Sequence, residues 1–168
     1  MAVTTEKMVT WCRGILGVDP QAPKLPLEQY LAAIPRLDSL AGLPGGTPVL
    51  VRGDVDAKPG AAVGEGDIRL RSMKETLDYG RQKGWKQIVF GHIGRKPEGS
   101  LKKVRDRLAE IMGYPITFIA DWLDPDTITI KDEVAAAIRS CPPGGLIVLE
   151  NTRKYLIETL LWKAKPAD

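Results

Sequence analysis

Four short apolar runs punctuate the chain beyond its first third. Val49–Arg52, Lys86–Phe90, Ile116–Ile119 and Leu146–Leu149 are rich in Val, Ile, Leu and Phe. Each is continuous rather than alternating, which predicts strands covered on both faces. Between them the apolar positions recur at helical spacing. Asp67 is expected to cap a helix over Ile68–Lys83 that Gly84 closes, and Ser100 one over Leu101–Met112 that Gly113 closes. A third helix is expected over Asp132–Arg139 and a fourth from about Tyr155 to Lys163. Strand and helix alternate at a spacing of about 30 residues, the signature of an α/β fold with a parallel, doubly wound sheet.

The first 34 residues are patterned differently. Met8, Val9, Trp11, Cys12, Ile15 and Leu16 fall at helical spacing over residues 5–16, and Gly17 stops the run. A proline-rich connector, Pro20 to Pro26, leads to a second short helix over Leu27–Ile34. Residues 1–34 therefore read as an N-terminal helical extension and residues 35–168 as an α/β domain. The breaker-rich stretches Gly42–Pro48 and Ala57–Gly66 are expected to be loops.

The chemistry gathers where strands end. The first releases Asp54 and Asp56, the second His92 and Arg95, and the fourth Glu150, Asn151 and Arg153. Right-handed crossovers put these ends on one edge of the sheet, and open α/β sheets bind ligands beyond that edge. Arg69 and Arg71 are expected in the first turn of the helix after the first strand. Cations there oppose the helix dipole unless an anion intervenes, and the planar arginine fork suits phosphate or carboxylate. The site so outlined is an anion site.

Charge sharpens this. The whole chain carries a formal +3, too little to argue for nucleic acid. Residues 69–107, however, hold twelve Lys or Arg against four Asp or Glu, a local +8 around the His92–Arg95 turn. The plain alternative is that many of these side chains are solvated helix faces. Cys12 and Cys141 fit no metal spacing and are expected as reduced thiols. With no run of about 18 apolar residues and no signal-peptide pattern at the N-terminus, a cytoplasmic protein is expected.

The motifs in their order resemble the N-terminal, 3-phosphoglycerate-binding domain of phosphoglycerate kinase. The pieces that carry the likeness are Leu37-Asp38, Val49-Leu50-Val51-Arg52-Gly53-Asp54, Arg69-Leu70-Arg71, His92-Ile93-Gly94-Arg95, Ser100-Leu101-Lys102 and Leu149-Glu150-Asn151-Thr152-Arg153, within about residues 36–156. The resemblance implies a Rossmann-like, three-layer αβα sheet with a basic patch. It implies that Arg69, Arg95 and Arg153 clamp the substrate's phosphate and carboxylate oxygens, that His92 adds a donor and that Asp54 orients the substrate hydroxyl. The family has an Asp-x-Asn pair where this chain has Asp54-x-Asp56. A carboxylate in place of the amide beside an anion costs up to about 4 kcal/mol at 4 Å and an effective dielectric near 20. The chain ends at Asp168, before the family's nucleotide domain. The expectation is therefore a domain that binds a phosphorylated carboxylate such as 3-phosphoglycerate but carries no catalytic residue, cofactor or metal of its own. Mg-ATP or ADP enters only with a second domain. The partners expected are that small anion and a separate nucleotide-binding domain or another protein.

Two other classes compete. A non-catalytic protein-interaction or assembly module could be built on the same domain. A strand ending in Asp54-x-Asp56 also resembles the nucleophile motif of haloacid-dehalogenase-like phosphatases, which would need Mg²⁺. The second strand, though, ends in Gly91-His92 rather than the Ser or Thr of that family. Nucleic acid is not expected, because residues 69–107 hold only Tyr79, Trp85 and Phe90 as stacking platforms.

Overall fold

A computed structural model of the chain describes residues 34–58 and 65–155, together with Glu28, Gln29 and Ala32. The helices expected over residues 5–16 and 155–163, and most of the one over Leu27–Ile34, lie outside the described residues. The chain divides into two compact units, Met1–Gly42 with Pro166–Asp168 and Leu43–Lys165. In the first, Leu37–Leu40 forms a 3₁₀ turn. The Ser39 hydroxyl and backbone N–H both donate to the Arg36 carbonyl.

The second unit holds the sheet. Its strands are β1 (Pro48–Arg52), β2 (Lys86–Phe90), β3 (Thr117–Ile119) and β6 (Leu146–Leu149), in the order β1-β2-β6-β3. Every pairing is parallel, with Leu50 opposite Ile88, Ile88 opposite Ile147, and Phe118 opposite Val148. Helices α1 (Glu65–Ser72), α2 (Lys74–Gln82) and α3 (Lys102–Met112) cover one face. There Leu70, Leu77, Val104, Leu108 and Met112 pack with Val89 and Val148. The other face carries Ile88, Ile147 and Leu149, packed with Trp122 and with Ile138 of α4 (Asp132–Ser140). Helices on both faces make this the doubly wound, three-layer α/β architecture that the continuous apolar strands imply. On the α4 side of the sheet, Leu50 of β1 is 68% exposed.

The sequence expectation errs at three places. The single helix over Ile68–Lys83 is two helices that break at Met73. The Ser72 hydroxyl donates to the Arg69 carbonyl at 2.7 Å and competes for a helix acceptor. Asp67 is not a cap but lies inside α1, where the Arg107 guanidinium of α3 grips its carboxylate at 3.1 and 2.6 Å. A short hairpin, β4 (Leu123–Asp124) with β5 (Thr129–Ile130), was not foreseen. The Asp124 carboxylate starts its turn by accepting the Asp126 and Thr127 N–H groups. Strand β6, strand β2 and the Gly113 stop of α3, in left-handed conformation at φ 75°, are as expected. No helix among the described residues is long and apolar enough to cross a membrane.

Candidate functional site

Beyond Arg52 the strand assignment ends, and the Ala57 N–H donates to the Val55 carbonyl at 2.8 Å in a tight turn centred on Asp56, yet the side chains keep alternating in burial. Gly53, Val55 and Ala57 are buried, while Arg52, Asp54, Asp56 and Lys58 are exposed. A period of two sends one set into the core and the other toward solvent. The buried set is tightly held. A Cβ on Gly91, at the end of β2, would lie 2.7 Å from Val55 Cγ2 and 3.0 Å from the Gly53 carbonyl oxygen. Glycine at 91 is thus what lets the two strand ends approach. Arg52, Asp54 and Asp56 of the exposed set front a pocket of about 310 Å³ lined also by Gly53, Val55, Arg69 and His92.

Within it, Arg69 Nη1 donates to Asp54 Oδ1 at 2.9 Å, both side chains being about half exposed. Arg69 and Arg71 stand in the last turn of α1, not its first, so the helix dipole favours them. The argument for an anion from an opposed dipole falls away, and only the guanidinium's place in the pocket remains. Arg71 faces Asp67 at 3.8 Å instead.

The His92–Arg95 turn is pinned from both sides. The Gly94 N–H donates to Asp56 Oδ1 at 2.9 Å, and Gly94 adopts φ 68°, which a residue without Cβ reaches at little cost. From beyond β6, the buried Asn151 accepts the Ile93 N–H at 3.3 Å and donates to the Ile93 and Gly99 carbonyls at 3.2 and 2.8 Å. The Arg153 guanidinium bonds the Gly94 carbonyl. The Thr152 N–H donates to the Gly91 carbonyl at 3.0 Å. Glu150 plays no part in the pocket. Its buried carboxylate accepts the Leu101 N–H at 2.7 Å, the Ser100 hydroxyl at 2.8 Å and the Asn151 N–H at 2.8 Å, and so caps the start of α3 from another strand end.

Of the residues expected at the site, Asp54, Asp56, Arg69 and His92 therefore share one pocket. Arg95 and Arg153 lie outside its lining, Arg95 on the adjoining turn and Arg153 in the 3₁₀ turn Thr152–Tyr155 that follows β6. Arg95 is exposed and has no hydrogen bond or ion pair among the described residues, whereas Arg153 is spent in part on holding the turn. Arg52 was missed as a lining residue, although its parity with Asp54 and Asp56 signals it. Much of the basic block serves elsewhere. Arg107 binds Asp67, Lys74 binds Asp78, Arg105 reaches the Ile116 carbonyl and Arg81 lies over the Tyr114 ring. The Arg107 partner holds the Asp67 carboxyl below its usual range.

An open parallel sheet with helices on both faces belongs to the doubly wound α/β class. The comparisons narrow the class. The family model for phosphoglycerate kinase matches residues 44–166. The chain is 37% identical over 116 residues to phosphoglycerate kinase of Zymomonas mobilis, which covers 66% of the chain and 27% of that protein. It is 37% identical over 125 residues to that of Novosphingobium aromaticivorans, covering 71% and 29%. The crystal structure of phosphoglycerate kinase from Pyrococcus horikoshii shares the fold, with a TM-score of 0.56 at 22% identity over 73% of this chain and 28% of that one. The chain belongs to the phosphoglycerate kinase family. It spans less than a third of the length of these curated relatives.

Proposed function

We propose that this chain is the acid-binding domain of a phosphoglycerate kinase-type phosphotransferase, with a phosphorylated carboxylate of the 3-phosphoglycerate class in the pocket beyond β1 and β2. The carrying observation is that Arg52, Arg69 and His92, from distant parts of the sequence, line one cavity at the carboxyl edge of the sheet. Arg69 gives one N–H to Asp54 and keeps the rest of its fork for the ligand's oxygens. Arg95, exposed on the turn that follows His92, meets the phosphate, and Arg153 holds that turn through the Gly94 carbonyl. Asp54 accepts from the substituent on the ligand's central carbon, and His92 adds a polar contact.

Phosphoryl transfer depends on positioning the two oxygens in line and on neutralising the phosphates. In this reading the domain supplies the first for the acid. Mg-ATP or Mg-ADP comes with a nucleotide-binding domain, and the enzyme works in the cytoplasm. Titration calorimetry of the chain with 3-phosphoglycerate tests the binding step. Heat of binding is expected at millimolar ligand and a loss of about tenfold in affinity in Arg95→Ala, a position whose exposed side chain has no hydrogen bond or ion pair among the described residues. The absence of heat in the unmodified chain overturns the reading.

A further inference from the structure

Among the described residues, the lining of the pocket beyond β1 is balanced in charge. Arg52 and Arg69 contribute two positive charges, and Asp54 and Asp56 two negative ones. Lys58, the next exposed cation on the segment, lies outside the lining. One oxygen of each carboxylate is committed. Asp54 Oδ1 accepts from Arg69 and Asp56 Oδ1 from the Gly94 N–H, each at 2.9 Å. Both side chains are exposed and neither meets another donor among the described residues, so Oδ2 of each is open to a ligand. The two stand two positions apart, are both exposed and line the same cavity.

A ligand that carries only negative charge matches half of this lining. Its phosphate and carboxylate gain from the guanidinium groups, but they share the cavity with the Asp54 and Asp56 carboxylates, and each guanidinium N–H given to the ligand is one fewer to offset these. A ligand with an ammonium on the carbon between its anionic groups matches all of it. The ammonium has three donors. Two of them can meet the open oxygens of Asp54 and Asp56 as charge-assisted bonds, while the anionic ends face Arg69 and Arg95. A hydroxyl at the same carbon has a single donor and no charge, and it leaves one carboxylate unanswered.

We propose that the pocket prefers a phosphorylated amino acid, a zwitterion with an ammonium on its central carbon, to the hydroxy acid of the same skeleton. This rests on the acid-binding reading above and specifies which acid. Asp56 is the residue that decides between the two, because an asparagine there would keep the acceptor for Gly94 N–H and lose the charge.

Calorimetry of the full chain tests the preference with three probes, 3-phosphoglycerate and O-phosphoserine in each of its two enantiomers, in the unmodified protein and in Asp56→Asn. The better phosphoserine enantiomer is expected to bind about tenfold more tightly than 3-phosphoglycerate, and Asp56→Asn to shift that ratio toward 3-phosphoglycerate by a similar factor. Circular dichroism checks that the variant folds, and the comparison of ligands in the unmodified chain stands without it. Equal or tighter binding of 3-phosphoglycerate by the unmodified chain overturns the preference and leaves the acid-binding reading intact. A preference for phosphoserine that a folded Asp56→Asn does not change overturns the part given to Asp56. Should none of the three ligands bind, both readings fail.

Discussion

Asn151 is the side chain on which the geometry of the pocket most depends, though it does not line it. It is buried, and it closes hydrogen bonds to both the N–H and the carbonyl of Ile93 and to the carbonyl of Gly99. Truncation leaves these backbone groups to find water in a site that has little room for it. Asn151→Ala is expected to cost about 3 kcal/mol in urea unfolding, since each orphaned buried group costs on the order of 1–3 kcal/mol. Ligand affinity should fall with it as the His92–Arg95 turn loosens. A variant with an unchanged unfolding midpoint would remove Asn151 from this role. Gly91 makes the complementary case through sterics. Its added Cβ in Gly91→Ala would meet the Gly53 backbone, which cannot swing aside as a side chain can. A loss of about 1–3 kcal/mol is expected from such overpacking, read as a lower melting temperature.

At the scale of elements, the strands were legible and the helix ends less so. A run such as Leu146–Leu149 needs both faces covered whatever its neighbours are, and it is a strand as expected. The start of α3 shows what local signals omit. The N-cap position is Leu101, which has no side-chain cap of its own; Ser100, one residue earlier than a cap, accepts the Lys102 N–H at 3.2 Å, but the stronger acceptor is Glu150, fifty residues away. Glu150→Gln should therefore weaken α3 more than Ser100→Ala does, by about 2 kcal/mol against about 1 kcal/mol, because a charged acceptor at a helix start is worth more than a hydroxyl. Chemical denaturation of the two variants side by side checks the order, and a reversed order would give the cap to Ser100. Asp67 shows the opposite error. An acidic residue ahead of an apolar helix looks like a cap, yet its partner is an arginine on α3, which helical spacing on one segment does not reveal.

For the second unit as a whole, acid should be the weak direction. Asp67 is held below the usual carboxylate range by its bond to Arg107, Asp121 by its bond to Lys131, and Asp124 by the backbone N–H of Asp126. A carboxylate with a depressed folded pKa contributes stability above its unfolded value and loses it as pH falls through the folded one. The denaturant midpoint is thus expected to be level near neutral pH and to drop below about pH 4, the unfolded carboxylate value. Asp67→Asn should flatten part of that drop. A midpoint independent of pH down to about pH 3 would contradict the assignment.

The sequence alone determined the layered α/β fold and the list of polar residues released at strand ends. Both follow from periodicity, which is local and survives without knowledge of neighbours. It also marked His92, Arg69 and the Asp54-x-Asp56 pair, all of which front one cavity. Only the tertiary structure decided what each charge meets. Arg69 pairs with Asp54, Asp56 props the Gly94 turn, Glu150 leaves the pocket to cap α3, and most of the basic block is drawn into bonds within the fold. The reason is that an ion pair or hydrogen bond between residues 15 to 50 positions apart depends on how helices and strands are laid against one another, and no spacing along the chain encodes that.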